Sequence, residues 1–247
     1  MTGTEPAMSQ RARRSAYRAW VKVGNRTGGR PLLGAMRRVL HDQGLARAAL
    51  TRSIVDRNGE PLPWYTYPAI EFLDGLDFSG RRVFEFGAGN STQWWRRRAD
   101  EVISVESDAE WFETISKRPW EGRGEIRLAH DPDEFTFAGR DDGTFDVVVV
   151  DGVIRRQPTD AALEMIGDDA MIILDNSDWL PHLHQRLRDT GMIAIDFHGL
   201  VPAVYHSGTT TVFLTRDADF WSSAPPPTPI GGVPAPQSFT NHDEGRT

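Results

Sequence analysis

Seven short apolar runs punctuate the middle of this chain and alternate with stretches of helical length. The runs are Arg82–Phe86, Val102–Val105, Ile126–Leu128, Phe145–Val150, Met171–Leu174, Met192–Phe197 and Thr209–Leu214. FDVVVV and MIIL are continuous β-branched and apolar stretches, the pattern of strands buried on both faces of a parallel sheet. Segments such as STQWWRRRADE and DAEWFETISKRPW lie between runs with helical spacing. This alternation predicts an α/β fold, a Rossmann-like doubly wound sheet. Only Gly199–Ser207 separates the last two runs, which leaves no room for a crossover helix. They are expected as an antiparallel pair finishing an otherwise mostly parallel sheet.

Composition divides the 247 residues into four parts. Residues 1–30 carry Arg, Gly and Ser without apolar periodicity and read as a flexible or partly helical basic head. Residues 31–79 hold PLLGAMRRVLHDQGLARAAL, one or two helices, and then GEPLPWYTYPAIEFLDGL, a lead-in that caps the sheet. Residues 80–221 hold the seven runs and are expected to form the main folded domain. Residues 222–247 contain six of the sixteen prolines and are expected as an extended or disordered tail.

Charge is split along the same lines. Residues 1–60 hold 12 Lys and Arg against 4 Asp and Glu, whereas the remainder holds 16 against 31. A basic head can serve nucleic acid or an anionic membrane, but arginines on exposed helix faces account for it as well. The acidic body disfavours a polyanionic substrate, so no nucleic-acid partner is expected. No run of about 18 apolar residues is present, so no membrane span is expected either. The first residues lack the apolar core of a secretory signal, and the chain reads as cytoplasmic. With no cysteine, thiolate metal sites, disulfides and a cysteine nucleophile are excluded.

The sharpest local signal is Val83-Phe84-Glu85-Phe86-Gly87-Ala88-Gly89-Asn90-Ser91-Thr92. An apolar strand runs into Gly-x-Gly and then into polar residues that can open a helix near Thr92. Two cofactors compete for such a turn. A dinucleotide fingerprint wants a third small residue, where this chain has Thr92, and a pyrophosphate beside Glu85 would be repelled. A sulfonium or amino group beside Glu85 would be attracted. Glu106, ending the second run, can accept from ribose hydroxyls in either case.

E-x-G-x-G followed by VISVE resembles the class I S-adenosylmethionine-dependent methyltransferases over about residues 60–221. The resemblance implies that Gly87 and Gly89, with Asn90 and Ser91, pack under the methionine part. Glu85 would face that part through amide or water contacts. Glu106 would hold the ribose, and Asp131, after the third run, would flank the adenine.

A second, acidic constellation lies further on. Asp151 ends FDVVVVD, and Asp175-Asn176 end MIILDN. Neighbouring parallel strands would put these oxygens on one rim with the glycine turn, a hard donor set suited to Mg²⁺. The pattern is similar to the divalent-metal-dependent O-methyltransferases of the catechol type, in which such residues bind magnesium and the metal holds the acceptor oxygens. In that family a lysine three residues after the first Asp can act as base. Here that position is Ile154, and Arg155 and Arg156 cannot accept a proton. The proton acceptor is therefore expected to be His198, placed on a loop between the last two strands, or Asp151 if no metal binds. His130, His182 and His184 are rivals.

Among the aromatics, Tyr67 is placed on the cofactor. Its neighbours Trp64 and Tyr65 suit an acceptor wall or a hydrophobic staple under the next helix. One of Trp94 and Trp95 is expected in the core. Trp179, beside Asp175-Asn176, is the first choice for the acceptor wall.

The expected function is methyl transfer from S-adenosylmethionine to a hydroxyl of a small molecule, a sugar or other natural product, with Mg²⁺ assisting. The alternatives are a nicotinamide-dependent oxidoreductase, poorly served by two lysines in the whole chain, and a non-catalytic binding module on the same fold. A homodimer is expected if the N-terminal helices present an apolar face, which their periodicity does not decide.

Overall fold

The computed structural model describes residues 28–222 and 228–232. Most of the expected basic head and proline-rich tail therefore lies outside the described residues. The lead-in opens with two helices, α1 (Gly29–Arg37) and α2 (Leu45–Thr51), joined by a π-helical turn over Arg38–Asp42. Helix α3 (Tyr67–Asp74) then begins with Pro68 in its first turn, where a missing amide hydrogen costs nothing.

Strands and helices alternate from there. They are β1 (Arg82–Phe86), α4 (Asn90–Arg96), β2 (Glu101–Glu106), α5 (Ala109–Ile115), β3 (Gly124–Leu128), α6 (Pro132–Phe137) and β4 (Phe145–Val150). Helix α7 (Arg156–Met165), β5 (Ile166–Asp175), α8 (Pro181–Arg188), β6 (Ile193–Leu200) and β7 (Ser207–Leu214) complete the body. The strands form one sheet in the order β3-β2-β1-β4-β5-β7-β6. β1 to β5 run parallel, and β7 is antiparallel to both β5 and β6. This is the doubly wound sheet with an antiparallel finish that the alternation predicts, and the architecture the methyltransferase resemblance implies.

The unbroken apolar runs have a direct cause. Val147 and Val149 of β4 enter one core with Val83, Met171, Ile173 and Trp95. Val148 and Val150 enter the opposite core with Phe84, Phe86, Ile172 and Phe213. Successive side chains of a strand point to opposite faces, so a strand covered on both sides must be apolar at every position. Trp94 and Trp95 are both buried in the first core, one more than expected, with rings at 4.7 Å in edge-to-face contact.

Strand order reverses between β1 and β4, and an open α/β sheet binds ligands outside the carboxyl ends of its strands at such a point. Among the described residues no helix is long and apolar enough to cross a membrane.

Two boundaries differ from expectation, and both matter for the site. Helix α4 starts at Asn90, so Thr92 sits inside its first turn. β6 continues to Leu200 because His198 pairs with Thr209 of β7, so His198 lies within a strand and the connecting loop carries Val201 to His206.

Candidate active site

The reversal point opens into a cavity of about 800 Å³. Its floor is made by the ends of four parallel strands: Gly87 to Ser91 after β1, Glu106 of β2, Asp151 after β4, and Asp175 with Asn176 at β5. Gly87 and Gly89, Asn90 and Ser91, Glu106, Asp151, Asp175 and Asn176 are thus brought together on one cavity, as their positions at strand ends require.

Gly87 cannot be replaced at no cost. Its φ is +97°, and a Cβ there would stand 2.6 Å from the main-chain oxygen of Asp151. The turn after β1 is pressed against the end of β4, and only glycine accepts both the conformation and the contact. Gly89 is different: a Cβ there would meet only the Trp111 ring, at 3.9 Å.

Glu106 is 8% exposed and presents a carboxylate already oriented by three amides. Oε2 accepts from Ala88 N at 3.1 Å, and Oε1 from Ser107 N at 2.7 Å and Asp108 N at 2.8 Å. A carboxylate has about four acceptor positions, so room remains for a hydroxyl of a ligand. Trp111 donates its indole N–H to Ala88 O at 2.7 Å and forms a wall beside it. Arg118 stacks over Trp111 and donates to Asn90 Oδ1 at 2.9 Å, while Asn90 Nδ2 donates to Ile54 O at 2.7 Å. The lead-in segment is thereby tied to the glycine turn, with Arg52, Ile54 and Trp64 closing one side.

Four expected site residues lie elsewhere. Glu85 is fully buried beneath the turn and forms no part of the cavity wall. Its position in β1 points it into the sheet face shared with Ser104, its cross-strand neighbour. There Oε2 accepts from Thr92 Oγ1 at 2.5 Å and from Ser104 Oγ at 2.8 Å, while Oε1 has no hydrogen-bond partner among the described residues. Burial pushes its carboxyl up to about 7, against the opposing pull of the Ser91, Thr92 and Ser104 hydroxyls.

Tyr67 opens α3 and turns into the core, 2% exposed, with burial raising its phenol to about 12; it does not line the cavity. Asp131 caps α6, accepting from the amides of Asp133 at 2.8 Å and Glu134 at 2.9 Å, and lies outside the cavity wall. His198 is held on β6 by Thr209 Oγ1 at 2.8 Å, also outside the wall. The histidine that does reach the cavity is His206, on the loop before β7, with its ring 6.3 Å from that of Trp179. Of the rivals, His182 lines a smaller cavity of about 320 Å³ next to Trp179, and His184 pairs with Asp196 at 2.9 Å.

Asp151 and Asp175 face each other electrostatically. Burial raises the Asp151 carboxyl, opposed by Arg155 and the Gly152 amide. Burial and then the Asp151 charge raise Asp175 to about 8, opposed by Thr210 and Arg155. Such a pair of carboxyls favours a cation beside it, and Arg155 supplies one.

Magnesium, expected on Asp151, Asp175 and Asn176, does not fit these donors as the chain holds them. One guanidinium nitrogen of Arg155, Nη2, lies 2.9 Å from Asp151 Oδ1 and 2.9 Å from Asn176 Oδ1. Arg155 Nη1 donates to the main-chain oxygen of Asp175, and Nε donates to Gly152 O at 2.7 Å. Asp175 Oδ1 accepts from Thr210 Oγ1 at 2.6 Å. A cation already lies between the oxygens. A second one would be repelled by about 4 kcal/mol per unit of charge at a separation of about 4 Å and an effective dielectric of 20. Among the described residues no group of three or more His, Cys, Asp or Glu is placed to hold a metal. Asn176 adopts left-handed backbone, φ 51° and ψ 39°, which asparagine tolerates better than most residues and which turns its amide toward Arg155.

S-adenosylmethionine does fit. The cavity is roomy enough, the glycine turn allows close approach, and Glu106 keeps an open acceptor position for a ribose hydroxyl.

No protein-family model and no curated protein matches the chain. Solved structures similar to it include precorrin-6y C5,15-methyltransferase from Geobacter metallireducens, with a TM-score of 0.47, 12% identity, and coverage of 60% of this chain and 87% of that one. The O-methyltransferase TomG from Streptomyces achromogenes, solved with S-adenosylmethionine, is similar at a TM-score of 0.44 and 17% identity, covering 55% of this chain and 73% of that one. N-methyltransferase NodS from Bradyrhizobium japonicum is similar at a TM-score of 0.42 and 11% identity, covering 59% of this chain and 89% of that one.

Proposed function

We propose that this chain is an S-adenosylmethionine-dependent O-methyltransferase whose acceptor is a hydroxyl of a small molecule, a sugar or other natural product. The observation that carries this reading is the cavity floor. Glu106 stands preset by three amides at one end, and the Asp151 and Asp175 carboxyls, both raised, stand beside the close-packed Gly87 turn. Ribose hydroxyls would meet the open acceptor position of Glu106, and the close-packed turn leaves the space above it for the methionine part.

The cofactor supplies a methyl group on a sulfonium sulfur. Glu106 holds the ribose hydroxyls, and the turn from Gly87 to Ser91 receives the methionine part. Asp151 lies where an acceptor hydroxyl can reach it, and its raised affinity for protons makes it a better base than an ordinary carboxylate. With the cofactor bound, the acceptor hydroxyl would have a proton to shed on methylation, and Asp151 is the carboxyl on the cavity floor that would take it and pass it to water. Rate comes chiefly from holding the oxygen and the methyl carbon in line. Trp64, Trp179, Val153 and Val204 make the outer wall apolar and aromatic, suited to the face of a sugar or aromatic ring.

Labelled-methyl transfer from S-adenosylmethionine to a panel of glycosides and phenols tests the reading. An accepted hydroxyl supports it, and Asp151→Asn should then lower kcat by about 10²- to 10⁴-fold. Turnover of NADH with a carbonyl panel, without methyl transfer, would overturn it.

A further inference from the structure

We propose that Arg155 stands in the place of a divalent metal, so that this site positions its acceptor without one. The inference rests on the methyltransferase reading for its purpose, though the geometry stands without it. Asp151, Asp175 and Asn176 follow two neighbouring parallel strands and present oxygens that would suit magnesium. The space between them is taken by a single side chain.

Arg155 reaches back from the start of α7, four residues after Asp151, and is largely buried, with 14% of its side chain exposed. It donates through Nε to Gly152 O, through Nη1 to Asp175 O, and through Nη2 to both Asp151 Oδ1 and Asn176 Oδ1. Four of the five N–H bonds of a guanidinium are thereby spent on the protein. Arg155 is therefore a positioning residue. It fixes Asp151 in one rotamer and joins the ends of β4 and β5. It also supplies one positive charge to the buried Asp175 and the half-buried Asp151.

The planar fork explains why arginine serves here. Its donors diverge in one plane and reach four oxygens on two segments, whereas a lysine ammonium is a point charge with three donors.

Direct titration of the full-length protein with Mn²⁺, followed by electron paramagnetic resonance, tests the exchange of one cation for the other. The wild type should bind no equivalent of Mn²⁺ at submillimolar concentration. Arg155→Ala should bind one equivalent at least tenfold more tightly than the wild type, and Arg155→Ala/Asp175→Asn should lose it again. S-adenosylhomocysteine binding, measured on the same samples, reports separately on the methyltransferase reading. Its absence with the Mn²⁺ pattern intact would overturn that reading and leave the cation exchange standing.

A wild type that binds Mn²⁺ at one equivalent, with loss in Asp175→Asn, would overturn the proposal without need of the arginine variant. A folded Arg155→Ala that gains no Mn²⁺ would overturn it as well, and a melting curve on each variant identifies the folded ones. Arg155→Lys should keep Mn²⁺ out by charge but lower the melting temperature, because the fork is lost. Entry of Mn²⁺ into Arg155→Lys at the level of Arg155→Ala would contradict the role of the positive charge.

Discussion

The Thr92 hydroxyl donates to Glu85 Oε2 at 2.5 Å and accepts from the amide of Gly89 at 3.0 Å. A buried carboxylate thus holds the glycine turn from below through one side chain. Its effect on a ligand is indirect, since Glu85 sits under the cavity floor and Gly89 sits on it. Thr92→Val keeps the volume and removes both bonds. It should cost about 1–3 kcal/mol of stability and weaken S-adenosylhomocysteine binding, as read by denaturant unfolding and calorimetry. Unchanged stability and affinity would show that the turn holds itself.

Glu85 also makes stability depend on pH. Its carboxyl is raised to about 7 in the folded protein, from an ordinary value of 4.5. The folded state therefore keeps a proton that the unfolded state releases, and stability falls as pH rises through that window. The loss amounts to roughly 3 kcal/mol, complete above pH 7. Glu85→Gln should lose less stability than the wild type between pH 4.5 and 7 by that amount, with the two curves parallel outside the window. Denaturant unfolding across pH 4.5 to 8 gives the comparison, and identical slopes would contradict the assignment.

The two glycines of the turn should separate folding from binding. Gly87→Ala meets the Asp151 main-chain oxygen at 2.6 Å with φ at +97°, and should destabilise the protein by about 2 kcal/mol or more. Gly89→Ala finds no close neighbour, its nearest atom being Trp111 at 3.9 Å. It should leave the melting temperature unchanged and weaken S-adenosylhomocysteine binding, because the added methyl group stands on the cavity floor. Equal effects of the two on stability would contradict this division.

Much of this was legible because the physics of strands is periodic. An apolar run covered on both faces reads as such wherever it occurs, and the residue just past its end must lie on the rim. Glu106, Asp151 and Asp175 follow from that rule, and Gly87 from the Gly-x-Gly turn into which such a run leads. Side-chain direction and reach are not periodic. Glu85 falls one register position on the buried side, where Ser104 and Thr92 receive it. The apolar pattern stops at Phe197 and so predicts a loop at His198, but β6 runs three residues further, to Leu200, and the loop histidine is His206. Tyr67 opens α3 on the face turned to the core. Arg155 was visible only as a residue that cannot be a base. Its role depends on the turn from Asp151 to Arg155, which no spacing rule encodes.

The acceptor wall should separate from the cofactor wall in kinetics. Trp179 is 64% exposed and stands across from His206 at the cavity mouth. Trp179→Ala should raise KM for the acceptor roughly tenfold, about 1.4 kcal/mol of lost ring contact, and leave S-adenosylhomocysteine affinity unchanged. Loss of cofactor affinity in this variant would place Trp179 on the wrong side of the cavity.

The central claim is that the cavity over Gly87, Glu106 and Asp151 binds S-adenosylmethionine. Calorimetric titration of S-adenosylhomocysteine into the full-length protein tests it most directly, with Glu106→Ala beside it. The account predicts one site of micromolar affinity in the wild type and at least a tenfold loss in Glu106→Ala. No heat with S-adenosylhomocysteine, together with binding of NADH at the same protein concentration, would contradict it.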